Sequence, residues 1–466
     1  MRHASVPLMK WKRCCAALLL VFFQHYLLVV TRAQANPSEA EIGRKFSLVA
    51  RTQFPLVRDY VVQRYLKSLG QRIVARLEQA EFPYEFSVVQ DDSMNAFAVP
   101  GGYLYFNSGL ILRVSSDDEL AGVLGHEIAH VQGHHMVRQQ QDTKLLSYAG
   151  LASMILALIN PVLAAGASSI AGAAQMKYLR QLEEEADSRG LENMQRAGFD
   201  PRGMPRFFKK MSEEDRLNPV DVPPYMRSHP MSQERLNYVE NLLSTMHWNQ
   251  TAPSDDFELR RVQAILRTLH APKARMLAEF QQQAAAAPED TKALALLGVV
   301  QLRFNDLAAA QQTLEQAAAK GLRLDDELGM LYLRLGQKEK ARQAFARLSE
   351  TDPQHAGAHN QLCKIFYEEG DLARASQECR TAQSLDSQLD ESYLTLAQIA
   401  QQQGKSAESR ILLAQAMELQ GRPEAALAQY GQALSLLNPD DPRFPELEKK
   451  REELQTIVNE LSQYRR

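Results

Sequence analysis

Along the first third of the chain the apolar positions keep two different rhythms. Val61, Tyr65, Leu69 and Ile73 recur every fourth residue, with Leu66 and Val74 beside the same stripe. That spacing predicts amphipathic helix between residue 36 and about residue 80. Pro83 ends it. Tyr84, Phe86 and Val88 then alternate with Glu85, Ser87 and Val89; Asn95 to Val99 is a second extended run; Tyr103 to Phe106 is a third, after the turn Pro100-Gly101-Gly102. Short alternating runs around a Pro-Gly turn predict a small β-meander. Ser116, followed by Asp117, Asp118 and Glu119, is a capping box with extra acid in the first turn. It opens a helix carrying Leu120, Val123, Leu124 and Ile128.

Further along, Leu145 to Met176 contains no charged residue, and Asn160-Pro161 breaks it into two apolar arms. Each arm is short for a bilayer span, so burial in the core is one reading. A hairpin that covers a cleft or touches a membrane surface is the other. Residues 177–247 read as mixed helix and loop, and 251–256 (Thr-Ala-Pro-Ser-Asp-Asp) as a linker. Beyond it the chain repeats. Gly336, Gly370 and Gly404 stand 34 residues apart, and Ala341 and Ala375 keep the same period. That is the tetratricopeptide period, a helix–turn–helix unit. Leu328-Gly329, Tyr332, Gly336, Ala341, Phe345 and Asp352-Pro353 resemble the signature of that repeat family. The resemblance implies four or five units between about 257 and 437. It also sets Cys363 and Cys379 facing each other across one unit. Two alternatives stay open there, a disulfide and two reduced core cysteines.

The 466 residues leave room for about three domains. The composition, 45% apolar and 23% charged, is that of a globular protein. A net charge of −3 and no aromatic-interleaved basic patch exclude a nucleic-acid partner from the reading. Arg2, Lys10, Lys12 and Arg13 precede an uncharged run from Cys14 to Val30, and Ala33-Gln34-Ala35 follows. This predicts a signal peptide over 1–35, with an uncleaved anchor as the alternative. An exported chain would sit in a compartment that permits disulfides.

The chemistry is carried by His126-Glu127-Ile128-Ala129-His130. Histidines four apart share a helix face and can hold one metal ion. The glutamate between them reaches a water on that ion. A catalytic zinc needs a third protein ligand and one open position. Glu183 and Asp187 lie one turn apart on a dense acidic helix, and Glu183 can ligate while Asp187 orients a histidine from behind. No serine, cysteine or aspartic constellation and no phosphate loop competes.

With these residues on the page, the sequence resembles the zinc peptidases related to HtpX and the CAAX prenyl proteases. Asn95 to Gly102, with Gly109-Leu110, is similar to the strand segment that family places before its metal helix. Ser228-His229-Pro230 with Arg235 is similar to its later His-Pro element. The leader and the repeats match its soluble periplasmic branch. The resemblance implies an α+β fold: a mainly helical, gluzincin-like zinc metallopeptidase domain with a small sheet (36–250), then an all-α tetratricopeptide solenoid (257–466). It implies one Zn²⁺ held by His126, His130 and Glu183, with Glu127 as general base. Asp187 and Arg180 stand behind the ligands. His229 stands near the open position, to polarise the oxyanion or to plug the site. Asn95 and Ala96 would lie on an edge strand that pairs with substrate. His134 and His135 are expected at the surface or in support. The implied function is a periplasmic endopeptidase acting on misfolded or stalled outer-membrane proteins. Its repeats would bind the client or the outer-membrane assembly machinery. The alternative is a chaperone or adaptor with a gated or weak peptidase site.

Overall fold

The structure, a computed structural model, describes residues 39–139, 173–217, 224–230, 232–248 and 255–464. The leader, most of the uncharged 145–176 stretch and residues 251–254 of the linker lie outside the described residues. Among the described residues no helix is long and apolar enough to cross a membrane.

The predicted N-terminal helix is two helices, α1 (Glu39–Gln53) and α2 (Tyr60–Val74). Asp59 caps α2 by accepting from the backbone N–H of Val61 and Val62. The stripe Val61, Tyr65, Leu66, Leu69, Ile73 is buried, as its period requires. Three strands follow, β1 (Glu85–Val89), β2 (Ala96–Val99) and β3 (Tyr103–Asn107). They do not form the expected meander. The strand order is β1-β3-β2, with β1 parallel to β3 and β2 antiparallel to it. The reason is local. Gly101 and Gly102 take positive φ and close a tight β2–β3 hairpin. The Gln90–Asn95 connection is meanwhile tied to the end of β3: Ser108 Oγ accepts from the N–H of Asp91, and the carbonyl of Asp91 accepts from the N–H of Gly109. The chain therefore passes over the end of β3 to its far side. Leu104, Tyr105 and Phe106, buried on both faces, make β3 the central strand. The outer edge of β1 is covered at Val89 by a bridge to Leu56, so β2 is the strand left at an edge.

Helices α3 (Ser108–Arg113), α4 (Asp117–Gln132) and α5 (His135–Gln139) complete the first half. Ser116 caps α4 by accepting from the N–H of Glu119 at 3.2 Å, worth about 1 kcal/mol. The Glu119 carboxylate takes the N–H of Ser115 at 2.8 Å and Lys210 at 2.6 Å. Helices α6 (Ala173–Arg196), α7 (Gly203–Leu217), α8 (Pro224–Ser228) and α9 (Gln233–Thr245) pack around α4. Close approach explains two glycines there. A Cβ at Gly122 would meet the backbone of Met204, and one at Gly125 the carbonyl of Gly190.

Helix α10 (Phe257–Arg267) belongs to both halves of the molecule. Leu259, Val262, Ile265 and Leu266 enter the peptidase-side core, while Phe257 and Ala264 face the solenoid. After α11 (Lys273–Ala286) come four helical hairpins. They are α12 (Thr291–Arg303) with α13 (Leu307–Ala319), α14 (Asp325–Arg334) with α15 (Lys338–Thr351), α16 (Ala356–Glu368) with α17 (Leu372–Leu385), and α18 (Asp390–Gln402) with α19 (Ser406–Leu419). Gly336, Gly370 and Gly404 make the turns inside the last three with φ near +75°, the left-handed conformation that a short inter-helix turn needs. Asn305 does the same in the first hairpin at φ 59°. The structure joins Cys363 on α16 to Cys379 on α17, with Cα atoms 5.1 Å apart.

Helices α20 (Pro423–Leu436) and α21 (Phe444–Tyr464) close the chain. Tyr430, Leu447, Leu454 and Ile457 share one core with Phe46 and Phe54 near α1 and with Phe97 and Tyr105 of the sheet. The solenoid thus returns to the N-terminal helix. Its inner face also grips α2: Arg64 pairs with Asp352, Lys67 with Asp386 at 3.1 Å, and Arg303 with Asp59.

Candidate metal centre

Helix α4 brings His126, Glu127 and His130 to one buried face, as their spacing demands. Helix α6 crosses it and presents Glu183 and Asp187. His229 stands at the end of the short helix α8. One ligating atom each from His126, His130, Glu183 and His229 lies within 4.8 Å of the others. The contacts are uniform. His130 Nε2 is 3.0 Å from His126 Nε2, and His229 Nδ1 is 3.3 Å from the same nitrogen. Glu183 oxygens are 3.4 Å from His126 Nε2, 3.5 Å from His130 Nε2 and 3.1 Å from His229 Nδ1. Donors bound at about 2.0–2.1 Å in a tetrahedron stand about 3.4 Å apart. The measured spacings of 3.0–3.5 Å match that donor separation. The residues therefore fit a tetrahedral metal ion.

Glu127 is the exception in this cluster. It is 1% exposed, and neither carboxylate oxygen has a hydrogen-bond partner among the described residues. His229 Nε2 lies 3.5 Å from its Oε1.

The rest of the cluster is held from behind. Asp187 accepts from His126 Nδ1 at 2.9 Å, which turns Nε2 toward the metal position. Arg235, 5% exposed in the first turn of α9, forks onto Asp187 at 2.6 and 2.8 Å and reaches Glu183 at 2.8 Å. Burial alone would raise Glu183, but His229 and Arg235 outweigh it and hold the carboxyl well below its ordinary range. Asp187 is likewise raised by burial and brought below its usual value by Arg235. Burial pushes His130 well below the ordinary imidazole value. For His126 burial acts in the same direction, but hydrogen bonds with Asp187 and Glu183 override it and bring the ring up to about 9.

His130 has its own support. His135 Nδ1 lies 2.8 Å from His130 Nδ1, and its other nitrogen is 3.4 Å from Glu185, which in turn takes Arg138 at 3.0 Å. The local sequence explains the placement. After α4, His134 takes φ 51° and swings His135 back beneath His130. A Cβ on Gly133 would come within 2.1 Å of the His135 ring, so that position must be glycine. His134 itself turns outward, to Glu39 at 2.8 Å.

The sequence-predicted residues fall into three groups. His126, Glu127, His130, Glu183, Asp187 and His229 converge. Arg180 does not: its side chain is 68% exposed and pairs with Glu234 at 3.8 Å, away from the cluster. The buried cation behind the ligands is Arg235, whose role the sequence reading left unassigned. Its signal was present, one arginine shortly after the His-Pro pair and two carboxylates one turn apart needing a counter-charge. Asn95 and Ala96 are buried at the start of β2, the carbonyl of Asn95 accepting from Asn107. The cavity beside the metal cluster, about 160 Å³, is lined instead by Phe97, Ala98 and Val99 of β2 together with Glu127, His130 and His229. Since Asn95 and Asn107 form a bonded pair, the antiparallel ladder turns the backbone groups of Ala96 and Ala98 away from β3.

Comparison with known proteins agrees with this geometry. Residues 61–243 match peptidase family M48, and residues 327–390 match the tetratricopeptide repeat. The chain is 35% identical over 228 residues to the beta-barrel assembly-enhancing protease of Yersinia pestis, covering 47% of this chain and 46% of the relative. It is 32% identical over 235 residues to the Escherichia coli K12 protein of the same name, covering 49% and 48%. It is 29% identical over 234 residues to the mitochondrial metalloendopeptidase OMA1 of Danio rerio, covering 48% of each. The chain spans about half the length of the curated relatives it matches. Fold, donor cluster and relatives converge on one description: the chain carries a domain that matches peptidase family M48, joined to tetratricopeptide repeats.

Proposed function

We propose that this protein is a periplasmic zinc metalloendopeptidase that cleaves misfolded or stalled outer-membrane proteins. Its repeats would bind the client or the assembly machinery. The observation that carries the peptidase reading is Glu127, a buried carboxylate without a hydrogen-bond partner among the described residues, set beside four converging candidate metal donors. When bound by His126, His130 and Glu183, zinc supplies the Lewis acidity that makes water a nucleophile near neutral pH. Glu127 then takes the proton of the attacking water and returns it to the leaving amine. An extended substrate adds to the edge of β2, where the outward backbone groups of Ala98 read main chain rather than side chains. An oxidising compartment keeps the Cys363–Cys379 bridge closed.

A second reading, a gated or weak peptidase working mainly as a chaperone, is favoured by His229. Its Nδ1 lies 3.3 Å from His126 Nε2 and 3.1 Å from Glu183, within the donor cluster, where it would take the position a catalytic zinc leaves open.

The test is cleavage of an unfolded protein by the full chain beside Glu127→Gln. The variant should keep its bound zinc and lose about 10²–10⁴-fold in rate. Equal cleavage by both proteins would overturn the mechanism. His229→Ala separates the two readings: faster cleavage supports a plug, and lost cleavage supports help to the oxyanion.

A further inference from the structure

The inner face of the solenoid does not close fully on the peptidase domain. Between them lies a cavity of about 410 Å³, a size that encloses small ligands or side chains. Its wall on the peptidase side is Arg58, Asp59, Tyr60 and Val61, at the start of α2; Arg58 reaches Asp390 at 3.7 Å across it. Tyr60 is held in place by the His355 ring 5.1 Å away and by the backbone of Gly357, where any Cβ would collide with it. The opposite wall is built from the first helices of successive repeats.

The polar atoms of this cavity are not matched. Glu327 is 5% exposed; its Oε1 takes Arg261 at 2.6 Å, while Oε2 has no hydrogen-bond partner among the described residues. Asn360 is 2% exposed; its Nδ2 donates to Glu391 at 2.8 Å, while Oδ1 has no such partner. Asp326 Oδ2 is in the same position, and Arg303, paired to Asp59 through Nη1, leaves Nε without an acceptor. All four residues line the cavity. Buried polar groups in folded proteins are almost always bonded, so a cluster of exceptions calls for an explanation. Burial holds both Asp326 and Glu327 above the usual carboxylate range, although Arg261 and Arg303 pull the other way.

Three orphan acceptors and one orphan donor define the missing ligand. It must bring several N–H groups, positive charge, and one acceptor. A metal ion or a free polyamine has no acceptor for Arg303, and a neutral amide has no charge for the two acids. A guanidinium or ammonium attached to a peptide backbone supplies all three, its own chain carbonyl meeting Arg303 Nε. We propose that this cavity is a recognition pocket for a single arginine or lysine side chain of an extended polypeptide lying between the solenoid and the peptidase domain. The proposal does not depend on whether the metal centre is active.

The experiment is fluorescence anisotropy with the full chain. The probe is a short labelled peptide of glycine, serine and alanine carrying one central arginine, compared with the same peptide carrying glutamine. The arginine peptide should bind about tenfold tighter or more. Asp326→Asn and Asn360→Ser, checked for folding by circular dichroism, should each remove most of that preference. Asp326→Asn is the milder change, since it keeps the shape of the side chain and removes its charge, and either folded variant suffices. Equal binding of the two peptides overturns the proposal, as does a preference that survives both substitutions. Displacement of the arginine peptide by spermidine or by calcium, at concentrations near the peptide's own dissociation constant, would also overturn it.

Discussion

Two buried polar regions of this protein solve the same problem in opposite ways. In the metal centre, Glu183 and Asp187 are matched by Arg235 and by the rings they orient, and Glu127 keeps no hydrogen-bond partner among the described residues. At the solenoid junction the acceptors outnumber their donors around Asp326, Glu327 and Asn360. A compensated cluster with one free base is prepared for chemistry at a point. An uncompensated one is prepared to receive a charged group from elsewhere. Burial is common to both; the difference lies in where the counter-charge comes from.

The comparison breaks most readily at Arg235. If the metal centre is pre-compensated, Arg235→Leu leaves Glu183 and Asp187 buried without their cation. Removing one partner of a buried ion pair costs about 3–5 kcal/mol. Urea unfolding of the zinc-free protein measures that loss. Arg180→Ala, at the exposed position, should change stability by no more than about 0.5 kcal/mol. Similar values for the two variants would mean that Arg235 does not compensate the centre.

A smaller effect is expected one layer out from the ligands. His135→Phe keeps an aromatic ring beneath His130 but removes the nitrogen 2.8 Å from it. Loss of such an orienting partner lowers metal affinity by about 10–100-fold. Competition with a chromogenic chelator reads this directly. Wild-type affinity in the variant would reduce His135 to a packing residue.

These residues also mark how far the sequence could be read. Spacing alone brings His126, Glu127 and His130 onto one face, because helical period fixes it, and the 34-residue repeat predicts the glycine turns for the same reason. The β-meander failed because periodicity identifies strands but not their partners; the pairing was set by the Asp91 and Ser108 contacts at the end of β3. Arg180 and Arg235 were both visible, and only the packing of α9 against α6 decides which one is buried. His135 depends on the left-handed turn at His134, which a helical reading passes over. The junction cavity has no local signal whatever, since it arises where α2 meets the first helices of repeats more than two hundred residues away.

The smallest expected effect tests the junction itself, through His355. This histidine is 3% exposed, packs against the Tyr60 ring and caps α16, its Nδ1 accepting from the N–H of Ala358 at 3.0 Å. Burial, helped by the charge of Arg64, pulls its pKa down to about 4. In the unfolded chain the ring titrates near its ordinary value of about 6.5. Between those values the unfolded state binds the extra proton. The stabilising contribution is therefore complete above about pH 6.5 and is lost as pH falls toward 4. From pH 7 to pH 5 the loss should be on the order of 1–2 kcal/mol. His359, on the same helix, runs the other way: its hydrogen bond to Glu378 raises its pKa, so its contribution is present at low pH and lost as pH rises. A pH profile of the wild type alone would mix the two. His355→Asn retains a capping oxygen but cannot titrate, and the difference between the two proteins cancels His359. If urea midpoints at pH 7 and pH 5 shift equally in both, the ring is not buried neutral at the junction. The grip of the solenoid on α2 would then be looser than the contacts of Tyr60 require.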